Sequence, residues 1–308
     1  MTDIFACTNR PDTALFFHRS EPGDPRLGES VLWLPEDYAS AGVVLLGCPQ
    51  DEGVRRNGGR PGAAKAPDAI RRFLYRLVKP GAVRFFDLGD TIIQPSLEET
   101  HAVHQRVAKQ ILEDGKRLVA LGGGNDLSYP DCSALAQTAA TVLAFNIDAH
   151  LDVRDNPVRN SGTPYRMLLE EGFLKPEQFY ELAYQPFAVA AAHLQYVLDK
   201  GANASSLEEL RRAGLIPAIQ QILIESTTEA IFWGIDMDAV CASDAPGVSA
   251  PNPIGLTGDE LCRIAALAGG DSRTRVFEIT EVNPEFDLQE RTAHLAAVAI
   301  FHFLARHT

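Results

Sequence analysis

Five short apolar segments, each ending in glycine or polar residues, constrain the fold of this 308-residue chain more than any other feature. Between them, apolar residues recur every three or four positions, which is the spacing of an amphipathic helix. Nearly continuous aliphatic runs are typical of strands that are buried on both faces of a parallel sheet. The predicted strands are residues 42–48, 117–124, 141–148, 230–236 and 275–280, and the predicted helices are residues 67–78, 100–116, 259–270 and 291–306.

Strands that alternate with helices predict an α/β fold of three layers (α/β/α), with a mainly parallel sheet between two layers of helices. The chain shows no repeat, no low-complexity segment and no long linker. We therefore expect a single domain over residues 1–308, on which residues 1–40 pack as an N-terminal extension. The Gly- and Pro-rich segment 56–67 is predicted to be an active-site loop that leads into a helix.

The acidic composition restricts the possible partners of this chain. Its formal net charge of −13 argues against nucleic acids and anionic membranes, which require a basic surface. The N-terminal residues do not resemble a signal peptide, and no apolar run reaches the ~18 residues of a membrane span. The five cysteines are scattered and odd in number, which favours reduced thiols. We expect a cytoplasmic protein that acts on a small molecule.

Acidic side chains cluster where two of the predicted strands end. Asp148, His150 and Asp152 alternate along the chain, as do Asp236 and Asp238, so an extended backbone would point each set to one side. Ligands of open α/β sheets bind beyond the carboxyl ends of the strands. A single Asp-x-Asp is more often a turn or a helix cap, but two such sets after buried strands favour a metal site.

Four carboxylates at one place repel one another unless cations neutralise them. Oxygen ligands with one imidazole suit Mn²⁺ better than a metal that prefers thiolates. Two such ions can activate a shared water for attack on a planar, electrophilic carbon. The sequence therefore predicts a metal-dependent hydrolase.

Four segments resemble the motifs of the ureohydrolase superfamily, which includes arginase, agmatinase and formimidoylglutamase. They are DAHLD at 148–152, GIDMDAVCASDAPGVSAPNP at 234–253, GGGND at 122–126 and EVNPEFD at 281–287. The likeness extends from about residue 42 to residue 306 and is closest to the formimidoylglutamase branch, through residues 51–71, 160–170, 244–251 and 283–296.

The resemblance implies an arginase-like fold with a parallel sheet of about eight strands. It also implies hydrolysis of the carbon–nitrogen bond of a linear amidine, N-formimidoyl-L-glutamate, to L-glutamate and formamide in histidine degradation. The family further implies a homo-oligomer. By the same resemblance, the first manganese ion would bind Asp148, Asp152 and Asp236, and the second would bind Asp148, His150, Asp236 and Asp238. Asp148, Asp236 and Glu281 would be the catalytic residues, with Glu281 facing the cationic amidine.

Two departures from the superfamily pattern affect these expectations. Asn125 stands where the family has a histidine ligand, and an amide oxygen is a weaker donor than imidazole. The first of the two manganese sites is therefore expected to be weak. The segment SGTPYRM, at 161–167, lacks the histidine that arginases carry there, which resembles the formimidoylglutamase branch instead.

Arginines near the predicted site would recognise substrate carboxylates, because the guanidinium group binds carboxylates through two parallel hydrogen bonds. The alternative is that they belong to a solvated loop. The predicted substrate-binding residues are Arg56, Asn57, Arg154, Arg159, Ser161, Arg166 and Glu281. Two other functions stay open. One is an agmatinase or another guanidino-acid hydrolase, and the other is a metal-impaired homologue with a binding or regulatory role, which only Asn125 supports.

Overall fold

A nine-stranded sheet forms the centre of the protein in a computed structural model that describes residues 2–306. The strands are β1 (Thr8–Asn9), β2 (Val43–Gly47), β3 (Phe85–Thr91), β4 (Arg117–Leu121), β5 (Val142–Ile147), β6 (Phe179–Tyr184), β7 (Asn203–Ser206), β8 (Ala230–Asp236) and β9 (Thr274–Thr280). Their order is β1-β3-β2-β4-β9-β8-β5-β6-β7. Only β1 pairs antiparallel, at the edge, so eight strands form the parallel sheet that was expected.

Ten helices cover the two faces of the sheet within the described residues. They are α1 (Glu52–Arg56), α2 (Ala66–Leu74), α3 (Leu97–Glu113), α4 (Ser128–Ala136), α5 (Pro164–Glu170), α6 (Ala191–Asp199), α7 (Leu207–Ala213), α8 (Leu215–Glu225), α9 (Gly258–Gly270) and α10 (Arg291–Leu304). Within residues 2–306, none of them has the length and apolar character needed to cross a bilayer.

The side chains of the central strands alternate between two apolar cores, one on each face. In β2, Val43 and Leu45 enter the core formed with α2 and α7 to α10, whereas Val44 and Leu46 enter the core formed with α3 to α6. The strands are thus buried on both sides, as their aliphatic composition indicates. The predicted three-layer α/β/α architecture is confirmed.

All five predicted strands are present, but β3 and β6 were not predicted because each contains a buried acidic residue. Asp87 in β3 binds the buried Arg71 of α2, and Glu181 in β6 accepts a hydrogen bond from Asn146 of β5. These charges interrupt the apolar pattern, and their partners come from distant parts of the chain. Predictions from local pattern also missed β1, β7, α1 and the helices α4 to α8.

Arg71 fastens α2 to the sheet. Its side chain is fully buried, and its Nε and Nη2 donate to the two carboxylate oxygens of Asp87 at 2.9 and 3.1 Å. Its Nη1 donates to Oδ1 of Asp90 at 2.7 Å. The helix after segment 56–67 therefore has a fixed position, which in turn fixes one end of that loop.

The first part of the chain packs along the β3 edge of the sheet. Thr8 pairs with Thr91 of β3. The ring of Tyr38 lies edge-on to Phe86 of β3, with the ring centres 5.4 Å apart. Phe16 contacts Tyr75 in the same manner at 5.1 Å.

Candidate active site

The carboxyl ends of β4, β9, β8 and β5 meet at one edge of the sheet, and the predicted metal ligands follow these strands. Asn125 comes after β4, Asp148 directly follows β5, and Asp236 is the last residue of β8. Glu281 directly follows β9. Because the four strands are parallel neighbours, residues that are far apart in the chain lie side by side at this edge.

Two similar turns aim the aspartates into the site. Oδ1 of Asp148 accepts a hydrogen bond from the backbone N–H of His150 at 2.7 Å. Oδ1 of Asp236 accepts the corresponding bond from Asp238 at 2.8 Å. Asp152 adopts a left-handed backbone with φ of 45°, which is unfavourable for a residue with a side chain. The segment is therefore not extended, contrary to expectation, and these turns bring the side chains together instead.

The carboxylates and the imidazole form two groups that share Asp148. One group is Asp148, His150 and Asp238, and the other is Asp148, Asp152 and Asp236. Within each group the candidate ligand atoms lie within 4.8 Å of one another. Carboxylate oxygens with a single imidazole nitrogen are a donor set that suits Mn²⁺.

The electrostatics of this cluster favour a bound cation. Burial, together with the charge of Asp238, raises the pKa of Asp236 well above its ordinary value. Burial and the neighbouring Asp148 do the same to the pKa of Asp152. The carboxylate of Asp238 raises the pKa of the His150 imidazole. Oδ1 of Asp238 is buried and has no hydrogen-bond partner among residues 2–306, so an oxygen is left for a cation.

Asn125 turns the nitrogen of its amide towards the carboxylates. Its Nδ2 lies 2.7 Å from Oδ2 of Asp152, while its Oδ1 accepts hydrogen bonds from the hydroxyls of Ser128 at 3.0 Å and Thr280 at 2.9 Å. In this orientation the side chain presents a hydrogen-bond donor, rather than a lone pair, to the group that contains Asp152.

Glu281 is buried beside the metal-ligand candidates and has a left-handed backbone with φ of 62°. Its Oε1 accepts a hydrogen bond from the backbone N–H of Asn125 at 3.0 Å, and its own N–H donates to the carbonyl of Gly123 at 2.8 Å. Burial and the charge of Asp238 raise the pKa of Glu281.

The chain after β4 passes close to another backbone segment. A Cβ at Gly123 would lie 1.5 Å from the carbonyl oxygen of Gln50, so only glycine allows this approach.

A cavity of about 370 Å³ opens onto these side chains. Its buried lining includes the carboxylates Asp236, Asp238 and Glu281, next to the half-buried His150 and Asp152. Its cationic lining consists of the exposed Arg154 and the half-buried Arg60 and His193. A larger groove of about 900 Å³ lies between α8 and α9, but Asp271 is the only carboxylate residue that lines it, so it lacks a comparable cluster.

Four of the predicted substrate-binding residues line the cavity, namely Asn57, Arg154, Ser161 and Glu281. The Nδ2 of Asn57 donates to Oγ of Ser161 at 3.0 Å, which joins the loop after α1 to the loop before α5. The guanidinium of Arg154 has no ion-pair partner among the described residues.

The other three predicted arginines do not line this cavity, and they have other partners. Arg56 is engaged by the carboxylates of Glu52 and Glu98 at 3.0 and 2.6 Å. Arg159 lies over the ring of Tyr129, 4.2 Å from its centre. Arg166 binds Asp155 at 3.1 Å and lies 4.2 Å from the ring centre of Tyr196. Glu98 and Tyr129 stand far from their arginines in sequence, and Glu52 and Tyr196 lie on helices that the pattern did not predict.

Two basic side chains of the cavity, Arg60 and His193, were not among the predicted site residues. Arg60 stands in the segment 56–67 that was predicted to be an active-site loop, so its position gave a usable signal. His193, near the start of α6, lies about forty residues beyond the DAHLD motif, and nothing in its local sequence indicates proximity to the site.

Comparisons with known proteins cover nearly the whole chain. The model of the arginase family matches residues 41–305. A formimidoylglutamase of Rhodococcus jostii is 30% identical over 301 residues, which cover 91% of each chain. A crystal structure of Trypanosoma cruzi formiminoglutamase with Mn²⁺ has a TM-score of 0.85 and 34% identity, covering 91% of this chain and 97% of that one. The formimidoylglutamase of Bacillus subtilis has a TM-score of 0.86 and 28% identity, covering 96% and 97%.

Proposed function

The chain belongs to the arginase family of hydrolases, and from this premise we propose that it hydrolyses N-formimidoyl-L-glutamate to L-glutamate and formamide. In this reaction water adds to the amidine carbon, the bond from that carbon to the glutamate nitrogen breaks, and the nitrogen takes up a proton. The observation that carries the proposal is the convergence of four carboxylates and His150 at the deep end of a cavity whose open end holds unpaired arginines.

The acidic cluster fits two Mn²⁺ ions. We infer that the first ion binds Asp148, Asp152 and Asp236, and the second binds Asp148, His150, Asp236 and Asp238. When bound, the ions supply Lewis-acid activation of the attacking water. Asn125 would make the first site the weaker one, because its amide nitrogen faces the ligands.

Glu281 is the group that would hold the reacting end of the substrate. Burial and nearby carboxylates disfavour its ionised form, and a cationic amidine would relieve that cost by providing the missing countercharge. Its hydrogen bond from the N–H of Asn125 fixes the carboxylate in place. Glu281 therefore orients the amidine carbon towards the aspartates.

The open end of the cavity suits a substrate that ends in carboxylates. Arg60 and Arg154 bring positive charge to this end, and no carboxylate within residues 2–306 lies at ion-pairing distance from either. A dicarboxylate would gain charge-assisted hydrogen bonds there, each contributing about 1.5–3 kcal/mol when well aligned. A substrate that ends in an ammonium group would be repelled.

Three further statements belong to the proposal and rest on the family resemblance. They are a role in histidine degradation, a cytoplasmic location and a homo-oligomeric assembly. The protein's substrate is a small molecule.

Steady-state assays of the manganese-loaded protein on N-formimidoyl-L-glutamate, agmatine and L-arginine test the proposal. We expect kcat/KM for N-formimidoyl-L-glutamate to exceed the other two values by far more than about tenfold, since at least one charge-assisted bond distinguishes the substrates. A preference for agmatine would overturn the assignment. Inactivity on all three compounds would favour a metal-impaired homologue with a binding role.

A further inference from the structure

We propose that Arg60 is a fixed anchor for a carboxylate group of the substrate and that it sets the specificity of the site for acidic substrates. The inference rests on the proposed function and adds a residue to it. Arg60 lies in the loop between α1 and α2 and lines the same cavity as Asp236, Asp238 and Glu281.

The guanidinium group of Arg60 is held by neutral partners. Its Nε donates to the carbonyl of Ser249 at 2.9 Å, and its Nη2 donates to the carbonyl of Val248 at 2.5 Å. Its central carbon lies 4.2 Å from the ring centre of Phe286. These contacts fix the plane of the group without neutralising its charge, and its Nη1 has no hydrogen-bond partner among residues 2–306.

Hydrogen bonds hold the backbone of Arg60 in place as well. Its N–H donates to Oγ of Ser249 at 2.9 Å, and its carbonyl accepts a hydrogen bond from Nδ2 of Asn283 at 2.8 Å. A Cβ at Gly59 would lie 2.5 Å from Oγ of Ser249, so the loop and the segment at 248–249 lie too close for a larger residue. Arg60 is therefore preorganised, and ordering it would cost a ligand little entropy.

The remaining charge of Arg60 is available to an anion. The protein carries a net charge of −13, and the buried Arg71 has its charge matched by the carboxylate of Asp87, whereas Arg60 has no such partner among residues 2–306. Arg60 instead keeps its positive charge next to a cavity whose other end is acidic. A ligand that bears an amidinium group at one end and a carboxylate at the other would complement both ends at once.

Arg154 is the other unpaired arginine of the cavity, but its setting differs. It is exposed, and its guanidinium group has no hydrogen-bond or ion-pair partner among residues 2–306. Without partners that fix its guanidinium, Arg154 can follow ligands of different length. Arg60 has one position, so Arg60 is the residue that discriminates a correctly placed carboxylate.

The experiment compares two substrates in the wild-type and Arg60→Gln proteins. One substrate is N-formimidoyl-L-glutamate, and the other is N-butylformamidine, which has the same reacting group and no carboxylate. We expect Arg60→Gln to raise KM for the dicarboxylate by about tenfold or more, with a smaller change in kcat. The kcat/KM for N-butylformamidine should stay within about twofold of the wild-type value. An equal loss of kcat/KM on both substrates would mean that Arg60 only supports the loop. If neither value fell, Arg60 would not contact the substrate.

Two further variants and a binding measurement complete the test. Arg60→Lys keeps the charge but loses the planar guanidinium group, which can donate two parallel hydrogen bonds to a carboxylate. Its KM should therefore lie between those of the wild-type and Arg60→Gln proteins. Arg212→Gln removes an exposed arginine that pairs with Glu208 on α7, and it should leave both substrates unaffected. Calorimetric titration with L-glutamate tests Arg60 without turnover. If the wild-type protein binds L-glutamate but does not hydrolyse the formimidoyl compound, the proposed function fails, and weaker binding to Arg60→Gln would still support the anchor.

Discussion

The amide nitrogen of Asn125 lies 2.7 Å from Oδ2 of Asp152 and donates a hydrogen bond to it. The hydroxyls of Ser128 and Thr280 hold the amide oxygen of Asn125 on the opposite side. The N–H group of Asn125 thus occupies the place where a cation would need a lone pair. It also gives the Asp152 carboxylate a hydrogen-bond partner in place of a cation. The two metal sites of the proposal should therefore differ in affinity.

Replacing Asn125 by histidine should raise the manganese content. Imidazole offers a lone pair and is a stronger ligand than an amide. At low free Mn²⁺ we expect the wild-type protein to hold about one ion per chain and Asn125→His to approach two, with higher activity. Elemental analysis after dialysis measures the ratio. Asn125→Ala is the control, because it removes the competing donor without adding a ligand. An unchanged metal content in Asn125→His would mean that this position does not face the metal.

Asp148→Ala and Asp236→Ala should each reduce hydrolysis to the background rate. Each residue is proposed to contact both ions, so its loss removes a ligand from two sites at once. Metal analysis should show fewer than one tightly bound ion per chain in both variants. Substantial activity in Asp148→Ala would contradict a binuclear site.

The metal-free protein should lose stability as the pH rises. In the folded chain the pKa values of Asp152 and Asp236 are raised above the ordinary 3.8, and that of His150 is raised above 6.5. Above these ordinary values the folded state binds more protons than the unfolded state, so the free energy of unfolding falls with pH. The lowered pKa of Asp148 acts only at acidic pH.

Thermal melts in chelator and in excess Mn²⁺ measure this effect. Between pH 6.5 and about pH 8.5 the melting temperature in chelator should decrease, because the unfolded chain releases the His150 proton near its ordinary pKa of 6.5 while the folded chain retains it. The manganese-loaded protein should show a growing stabilisation over the same range, since metal binding requires deprotonated ligands. Asp236→Asn should weaken the pH dependence in chelator. Parallel pH profiles in the two buffers would argue against a metal at this cluster.

Arg71→Met should destabilise the fold. Arg71 is buried, and its loss leaves the buried Asp87 carboxylate without a countercharge, which costs about 3–5 kcal/mol. The matched control is Arg72→Met, because Arg72 is half-exposed and pairs with Glu290 on the surface, where a pair contributes about 0–1 kcal/mol. Urea unfolding measures both. Adding Asp87→Leu to Arg71→Met should recover part of the lost free energy of unfolding. If Arg71→Met and Arg72→Met destabilised the protein equally, the structural role of Arg71 would be contradicted.

The sequence predicted those parts of the fold in which one local pattern determines the outcome. The aliphatic composition of β2, β5 and β8 indicated burial on both faces, and the acidic residues after β5 and β8 marked the edge of the sheet that carries the site. Asp87 and Glu181 obscured two strands, because a charge is tolerated there only by partners that the fold supplies.

The same reason explains the errors at the site. The extended arrangement expected for residues 148–152 gives way to a turn, since Oδ1 of Asp148 finds a closer partner in the N–H of His150. Arg56 pairs with Glu98, and Arg159 lies over the ring of Tyr129. Both partners stand tens of residues from their arginines in the chain. Which arginine is left without a partner depends on tertiary contacts, and no local pattern reports them.

The position of β9 has a consequence for how the chain folds during its synthesis. Among the strands within residues 2–306 this one comes last in chain order, yet it lies between β4 and β8 at the centre of the sheet. Until residues 274–280 leave the ribosome, β1-β3-β2-β4 and β8-β5-β6-β7 are two separate half-sheets, each with an unpaired inner edge. A nascent chain at that stage exposes two edges that can pair with other chains, and Asn125 is on a different half from the aspartates. Insertion of β9 closes both edges and brings Glu281 and Asn125 next to the aspartates in one step, so the complete site forms only after this strand has joined the two half-sheets.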